Sequence, residues 1–177
     1  MQNKRGISQA FGAATPGRVI RRATPFDVFD MSAVLQASIR ELCQADHQGD
    51  SERLAEWADS KTPAAIRTWL DRPGEFWVIE EDGQIAAVGA LGGIEGDAGL
   101  ITLNYVSPSF RFRGLSSALM GHLEGRLAAL GVAIARLEGT KTAMPFYLAR
   151  GWKLDMAPCG ECRPECMAMV KRLPRDG

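Results

Sequence analysis

The chain of 177 residues has no surplus of charge of either sign: 21 lysines and arginines face 21 aspartates and glutamates. A neutral chain has no global field to draw it onto nucleic acid or an anionic membrane, so neither is an expected partner. Attraction for an anionic ligand has to come from cations grouped locally. There is also no uninterrupted apolar run near the roughly eighteen residues that a membrane-spanning helix needs. Residues 1–17 lack the apolar run of a secretory signal and are read as a mobile tail, with the cytoplasm as the expected location. No internal repeat or linker divides the rest, and 46% hydrophobic residues in a chain of 177 suit one well-buried core. A single domain over residues 18–173 is therefore expected.

Metal-binding side chains are few. Of four cysteines, Cys159, Cys162 and Cys166 stand together as C-x-x-C-x-x-x-C, and Cys43 is remote. With one C-x-x-C pair and no histidine beside it, the group falls short of a zinc site, and no metal is expected. Reduced thiols in a loop between the last two strands are the expected state; a reversible Cys159–Cys162 disulfide is the other reading. The common nucleotide signatures are missing too. No Gly-Lys-Ser/Thr follows Gly114, and no G-x-G-x-x-G opens the helix after it.

What the chain does have is a succession of strand and helix patterns. Residues 18–23 alternate like a strand. Thr24 and Pro25 then offer a cap and a first-turn proline for a helix to about Ala45, with Val28, Met31, Val34, Leu35, Ile39 and Leu42 on its apolar face. Short helices start at Ser51 and at Thr62-Pro63. Strands over 75–81 and 84–92 flank Asp82-Gly83, a strong hairpin signal. A polar turn near Gly96-Asp97 leads to a central strand over 99–106. A long helix carries Leu115, Leu119, Leu123, Leu127 and Leu130 at helical spacing, with His122 read as half-exposed on it. A buried strand over 133–137, a helix over 140–150 and strands over 152–156 and 167–172 complete the chain. Hairpins plus one strand–helix–strand crossover predict an α/β fold: a mixed, mostly antiparallel sheet of six to seven strands flanked by about four helices.

The central strand ends at Ser107-Pro108, and Arg111, Arg113, Gly114, Ser116 and Ser117 stand where the long helix begins. First-turn N–H groups have no partners inside a helix, and the helix dipole adds partial positive charge there. Gly114 lets a ligand come close to the main chain, and the two arginines add full charge. This is the make-up of a diphosphate cradle.

Arg111-x-x-Gly114-x-Ser116, after Val106-x-Pro108 and before an amphipathic helix, resembles the R/Q-x-x-G-x-G/A motif of the GNAT N-acetyltransferase superfamily. Ser116 replaces the final glycine or alanine. Downstream, Ala143-Met144-Pro145-Phe146-Tyr147-Leu148-Ala149-Arg150-Gly151-Trp152 resembles that family's A-x-x-F-Y-x-x-x-G-F/W segment. The resemblance implies a single-domain GNAT-like fold in which the strands before and after the long helix splay apart and hold acetyl-CoA, the cosubstrate. It implies main-chain bonds from Leu103, Asn104, Tyr105 and Val106 to the pantetheine arm, with an amide near Tyr105 or Val106 polarising the thioester. The diphosphate would lie against Arg111, Phe112, Arg113, Gly114, Leu115, Ser116 and Ser117. Thr140 stands where relatives often have an asparagine that contacts CoA, and Phe146 joins the cofactor-binding set.

Tyr147 is implied as the acid that protonates the departing thiolate; a packed core aromatic is the alternative. Leu100 stands where many members carry a glutamate, which leaves Glu80, Glu81, Glu95, or water chains through Asn104, Tyr105 or His47, as candidates for the base. The segment with the two short helices is implied to cover the acceptor end. The implied function is transfer of an acetyl group to a primary amine of a small molecule or protein, by direct attack in a ternary complex. The missing glutamate keeps open a non-catalytic acyl-CoA-binding or regulatory module. Dimers are common in the family, so a homodimer is also open.

Overall fold

Seven strands form one open sheet in the computed structural model, which describes residues 17–47, 50–155 and 166–174, with the backbone alone for Gln44, His47 and Cys166. The strands β1 (Arg18–Arg22), β2 (Glu75–Glu81), β3 (Gln84–Glu95), β4 (Ala98–Val106), β5 (Ile134–Thr140), β6 (Lys153–Leu154) and β7 (Cys166–Arg172) lie in the order β1-β2-β3-β4-β5-β7-β6. All neighbours are antiparallel except β4 and β5, which run parallel on either side of the crossover helix. Among the described residues five α-helices cover the faces, each where a helical stretch was expected: α1 (Val28–Leu42), α2 (Ser51–Asp59), α3 (Pro63–Leu70), α4 (Leu115–Ala129) and α5 (Met144–Ala149). No described helix is long and apolar enough to cross a membrane. Residues 1–16 of the expected tail, and Cys159 and Cys162, lie outside the described residues.

Strand alternation gives the sheet two covered faces. Ile79, Ala87, Ile101 and Leu137 join Leu115, Leu119, Met120, Leu123 and Leu127 of α4 in one core, with Tyr147 and Trp152. Their neighbours Val78 and Val88 point the other way, onto Val28, Met31, Val34 and Leu35 of α1 and Ile66 of α3. The α4 leucines thus form the expected buried stripe, except for Leu130, which caps the helix and is exposed.

Element ends differ from the sequence pattern where other hydrogen bonds intervene. The expected helix to Ala45 breaks into a 3-10 turn (Pro25–Asp27), α1 and a second 3-10 turn (Gln44–His47). Cys43 closes α1 by donating to the Ile39 carbonyl at 3.3 Å, and its own carbonyl accepts from Asp46 N–H at 3.1 Å. The helix expected over 140–150 shrinks to Met144–Ala149, because Thr140 is held in β5 opposite Cys166 and Gly151 (φ 82°) stops the helix. The strand expected over 152–156 is only Lys153–Leu154, paired with β7; Met156 lies outside the described residues.

The entry to α1 is tied down by Asp27. Its Oδ2 accepts from the Thr24 N–H at 2.7 Å and hydroxyl at 2.8 Å, and Arg21 clamps both carboxylate oxygens at 2.8 and 2.9 Å. Arg21, chiefly, holds the Asp27 carboxyl down at about 2 from an ordinary 3.8. A carboxyl that binds protons less readily folded than unfolded stabilises the fold above its unfolded value and loses that support as pH falls through the folded one. Asp27→Asn should therefore lower the melting temperature at neutral pH, by a loss of about 1–2 kcal/mol. The difference from the parent should vanish between about pH 4 and pH 2, as thermal melts across that range would show.

The feature that makes a site is the separation of β4 from β5. They pair only through Ala98–Ile101 and Ile134–Leu137. At Thr102 the register of β4 against β3 slips by one residue: Ile101 lies opposite Leu91 and Leu103 opposite Ala90. An extra residue of this kind bends its strand and increases its twist. Beyond it, β4 follows β3 as far as Val106, while β5 follows β7 as far as Thr140. The two central strands diverge, as the expected splay requires.

Candidate active site

A cavity of about 490 Å³ opens where β4 and β5 part, and it reaches the start of α4. The ladder dictates what β4 offers it. Ser107 N–H donates to the Ala86 carbonyl at 2.8 Å, so in an antiparallel pair Tyr105 and Leu103 also spend their main-chain groups on β3. Asn104 and Val106 alternate with them and turn their N–H and C=O groups toward the gap. All four residues line the cavity. Their side chains alternate too: Leu103 and Tyr105 pack toward α1, and Val106 toward α4.

At the far end, a 3-10 turn (Pro108–Phe110) carries the chain into α4. Phe112 (φ 62°) and Gly114 (φ 73°) both take left-handed backbone angles. For Phe112 this is strained, and the residue is 93% exposed, so burial in the core does not hold it there. The first bonded amide of the helix is that of Ala118, to the Gly114 carbonyl at 3.0 Å. Leu115, Ser116 and Ser117 therefore have N–H groups with no carbonyl partner inside the helix. A Cβ on Gly114 would meet no protein atom within 4 Å. The space before these amides is open and suits an anionic group held by main chain.

The two arginines part company. Arg111 lines the cavity, its guanidinium 4.8 Å from the Phe112 ring centroid. Arg113 lies outside the lining: it meets Glu81 at 3.0 Å and stacks on Phe110 at 5.0 Å, while its carbonyl accepts from Arg18 at 2.9 Å. It staples the loop to the sheet edge. Arg111 is thus the one cationic side chain among the described lining residues.

Residues 37–152 match the sequence profile of the acetyltransferase (GNAT) family. The chain belongs to that family. Among curated proteins none matches it by sequence. Solved GNAT structures share the fold. A GCN5-related N-acetyltransferase from Rhodopseudomonas palustris is 22% identical with a TM-score of 0.74, over 92% of this chain and 100% of that one. The PaiA N-acetyltransferase from Thermoplasma acidophilum, in complex with coenzyme A, is 15% identical with a TM-score of 0.72, over 88% and 99%. The ribosomal-protein-S18-alanine N-acetyltransferase from Escherichia coli is 17% identical with a TM-score of 0.64, over 91% and 97%.

In this GNAT chain the second motif meets the first across the cavity. Phe146 and Tyr147 of α5 line it, with ring centroids 5.2 Å apart. Tyr147 is 7% exposed and lies over β5 at Gly139, where an added Cβ would come within 3.0 Å of its ring. Burial pushes the phenol above its ordinary value, partly offset by a bond from Asn104, so it is protonated at neutral pH. Thr140 also lines the cavity, its Oγ1 accepting from the Ala143 N–H at 3.3 Å. Cys43 does so from the other side; burial lifts its thiol to about 12, so it is not a thiolate at neutral pH.

The carboxylates considered for the base lie elsewhere. Glu80 holds Arg21 at 3.1 Å, Glu81 holds Arg18 and Arg113, and Glu95 sits at the β3–β4 turn opposite Ala98. Leu100 lies opposite Arg136 in the paired part of the strands, short of the gap. Tyr105 lines the cavity and stands edge-on to Trp57 at 6.4 Å; the His47 side chain is outside the described ones. Sequence reasoning missed Glu138, the one carboxylate among the described lining residues. Ala135 and Leu137 are buried against α4, so alternation turns Glu138 to the opposite face, toward α1. That alternation is readable in the sequence; its meaning depends on the gap beside it.

Proposed function

We propose that this protein is an acetyl-CoA-dependent N-acetyltransferase that acetylates a primary amine of a small molecule or protein by direct attack in a ternary complex. The observation that carries this reading is a single cavity lined by free helix-start amides, unpaired β4 main chain, Glu138 and Tyr147. The coenzyme A complex of the PaiA relative and the amino-group acceptor of the ribosomal-protein relative agree with it. Acetyl-CoA supplies an acetyl group already activated as a thioester. The amides of Leu115, Ser116 and Ser117, with Arg111, hold the diphosphate. Main-chain groups of Asn104 and Val106 hold the amide-rich arm, and the Val106 N–H donates to the thioester oxygen, where charge develops.

Fixing both substrates in one gap removes much of the orientational cost of the reaction. Glu138, on the α1 side, takes a proton from the attacking amine as the N–C bond forms. Tyr147, on the α5 side, gives its proton to sulfur as the C–S bond breaks. Base and acid thus act from opposite faces of the sheet, so neither blocks the other.

Glu138→Gln should lower kcat about a hundredfold at neutral pH, with acetyl-CoA affinity unchanged. The deficit should shrink as pH approaches the pKa of the amine, because the amine then deprotonates unaided. Initial rates against pH, with acetyl-CoA and a panel of primary amines, test this. Wild-type kcat in Glu138→Gln would remove the base. No CoA release with any amine would favour a binding module instead.

A further inference from the structure

Asn104 touches both halves of the site. Its Nδ2 donates to the Ser116 Oγ at 2.9 Å and to the Tyr147 hydroxyl at 3.5 Å, and its Oδ1 accepts from the same Ser116 hydroxyl at 3.3 Å. It sits on β4 between the first turn of α4 and the ring of α5, half-buried, with its main chain facing the gap. We infer that Asn104 is a positioning residue that aims the Tyr147 proton at the thioester sulfur by donating its own N–H to the phenol oxygen.

The argument is one of hydrogen-bond inventory. A phenol carries one hydrogen and accepts through its lone pairs, whereas an amide NH₂ only donates. Where the amide faces the phenol with nitrogen, the phenol hydrogen has to point off that line. Among the described residues Asn104 is the hydroxyl's hydrogen-bond partner, and it gives the oxygen a donor and not an acceptor. The open direction is the cavity that Tyr147 lines. Nδ2 is the amide atom turned toward both hydroxyls: it lies 2.9 Å from the Ser116 Oγ, against 3.3 Å for Oδ1, and it is the atom that meets the Tyr147 oxygen. A bond of 3.5 Å is long, as catalytic bonds often are before substrate closes the site. The same amide stabilises the phenolate left after transfer, and so opposes the upward push of burial.

This inference rests on the acid role proposed for Tyr147, and a double-mutant cycle separates the two. Full-length parent, Asn104→Ala, Tyr147→Phe and the double variant are compared with acetyl-CoA and a productive amine, measuring kcat, acetyl-CoA affinity and the alkaline limb of the pH profile. Asn104→Ala should lower kcat about tenfold, leave affinity unchanged and move the alkaline limb upward. In the Tyr147→Phe background it should cost nothing more. Asn104→Asp keeps the shape and the fold, but its carboxylate accepts the phenol hydrogen and draws it from sulfur, so it should be slower than the alanine variant. Additive losses in the double variant, a loss that follows affinity, or parental kcat in Asn104→Asp would overturn the inference while leaving Tyr147 as the acid. Parental kcat in Tyr147→Phe would overturn both.

Discussion

Tyr147→Phe should lower kcat by about a hundredfold or more while leaving acetyl-CoA affinity unchanged, because general acid catalysis is typically of that size. The substitution removes one oxygen from a ring that is fixed on every side. Phe146 meets it at 5.2 Å and Trp152 at 6.1 Å between ring centroids, and Gly139 lets it lie against β5. Packing is therefore retained, and a melt should show little change. The phenol is held above its ordinary value by burial, so the parent keeps the proton across neutral pH and loses activity only on an alkaline limb. That limb should be missing in the variant. If kcat and its pH profile were the same in both proteins, with chemistry rate-limiting, Tyr147 would be a core aromatic only.

Gly114→Val should weaken acetyl-CoA binding by about a hundredfold or more. Amide bonds to a charged phosphate contribute roughly 1.5–3 kcal/mol each, and the loss of one or two of them corresponds to that factor. Two effects combine. At φ 73° a β-branched residue is strained, which shifts the loop. The new side chain also projects into space that is empty of protein within 4 Å of the would-be Cβ, the space assigned to the diphosphate. The core beneath, from Leu115 to Leu127, is untouched, so the fold should persist with a melting temperature a few degrees lower. Calorimetric titration with acetyl-CoA measures the effect. Parental affinity would move the cradle elsewhere.

Much of this arrangement is local in sequence, and that part was legible. Asp82 and Gly83 take the two positive φ values, 55° and 77°, that an Asp-Gly hairpin demands. The run from Arg111 to Ser117 reads as a helix start because Gly114 can take the left-handed angle there (φ 73°) and an apolar helical pattern follows it. The tyrosine segment is short and ends at a glycine that has to be glycine, at φ 82°.

The illegible parts depend on contacts remote in the chain. Arg111 and Arg113 look equivalent in sequence; the Glu81 carboxylate on a distant strand turns Arg113 away from the cavity. Glu138 looks like any outward strand residue until the bulge at Thr102 parts β4 from β5 beside it. The Asn104–Tyr147 bond joins β4 to α5, and neither motif predicts it. His122 shows the same limit: it is half-buried, as read from the helix pattern, but its ring stands against Trp77 of β2 at 4.2 Å.

Acetyl-CoA labelled with ¹³C in the acetyl group, mixed with the protein and a productive primary amine, allows one mass-balance measurement. Direct transfer through the β4–β5 gap predicts one label on the amine nitrogen for each CoA released, and none on the protein at any time. Label that stays on CoA with every amine would make the chain a binding module. Label found on the protein, for example at Cys43, would contradict direct attack.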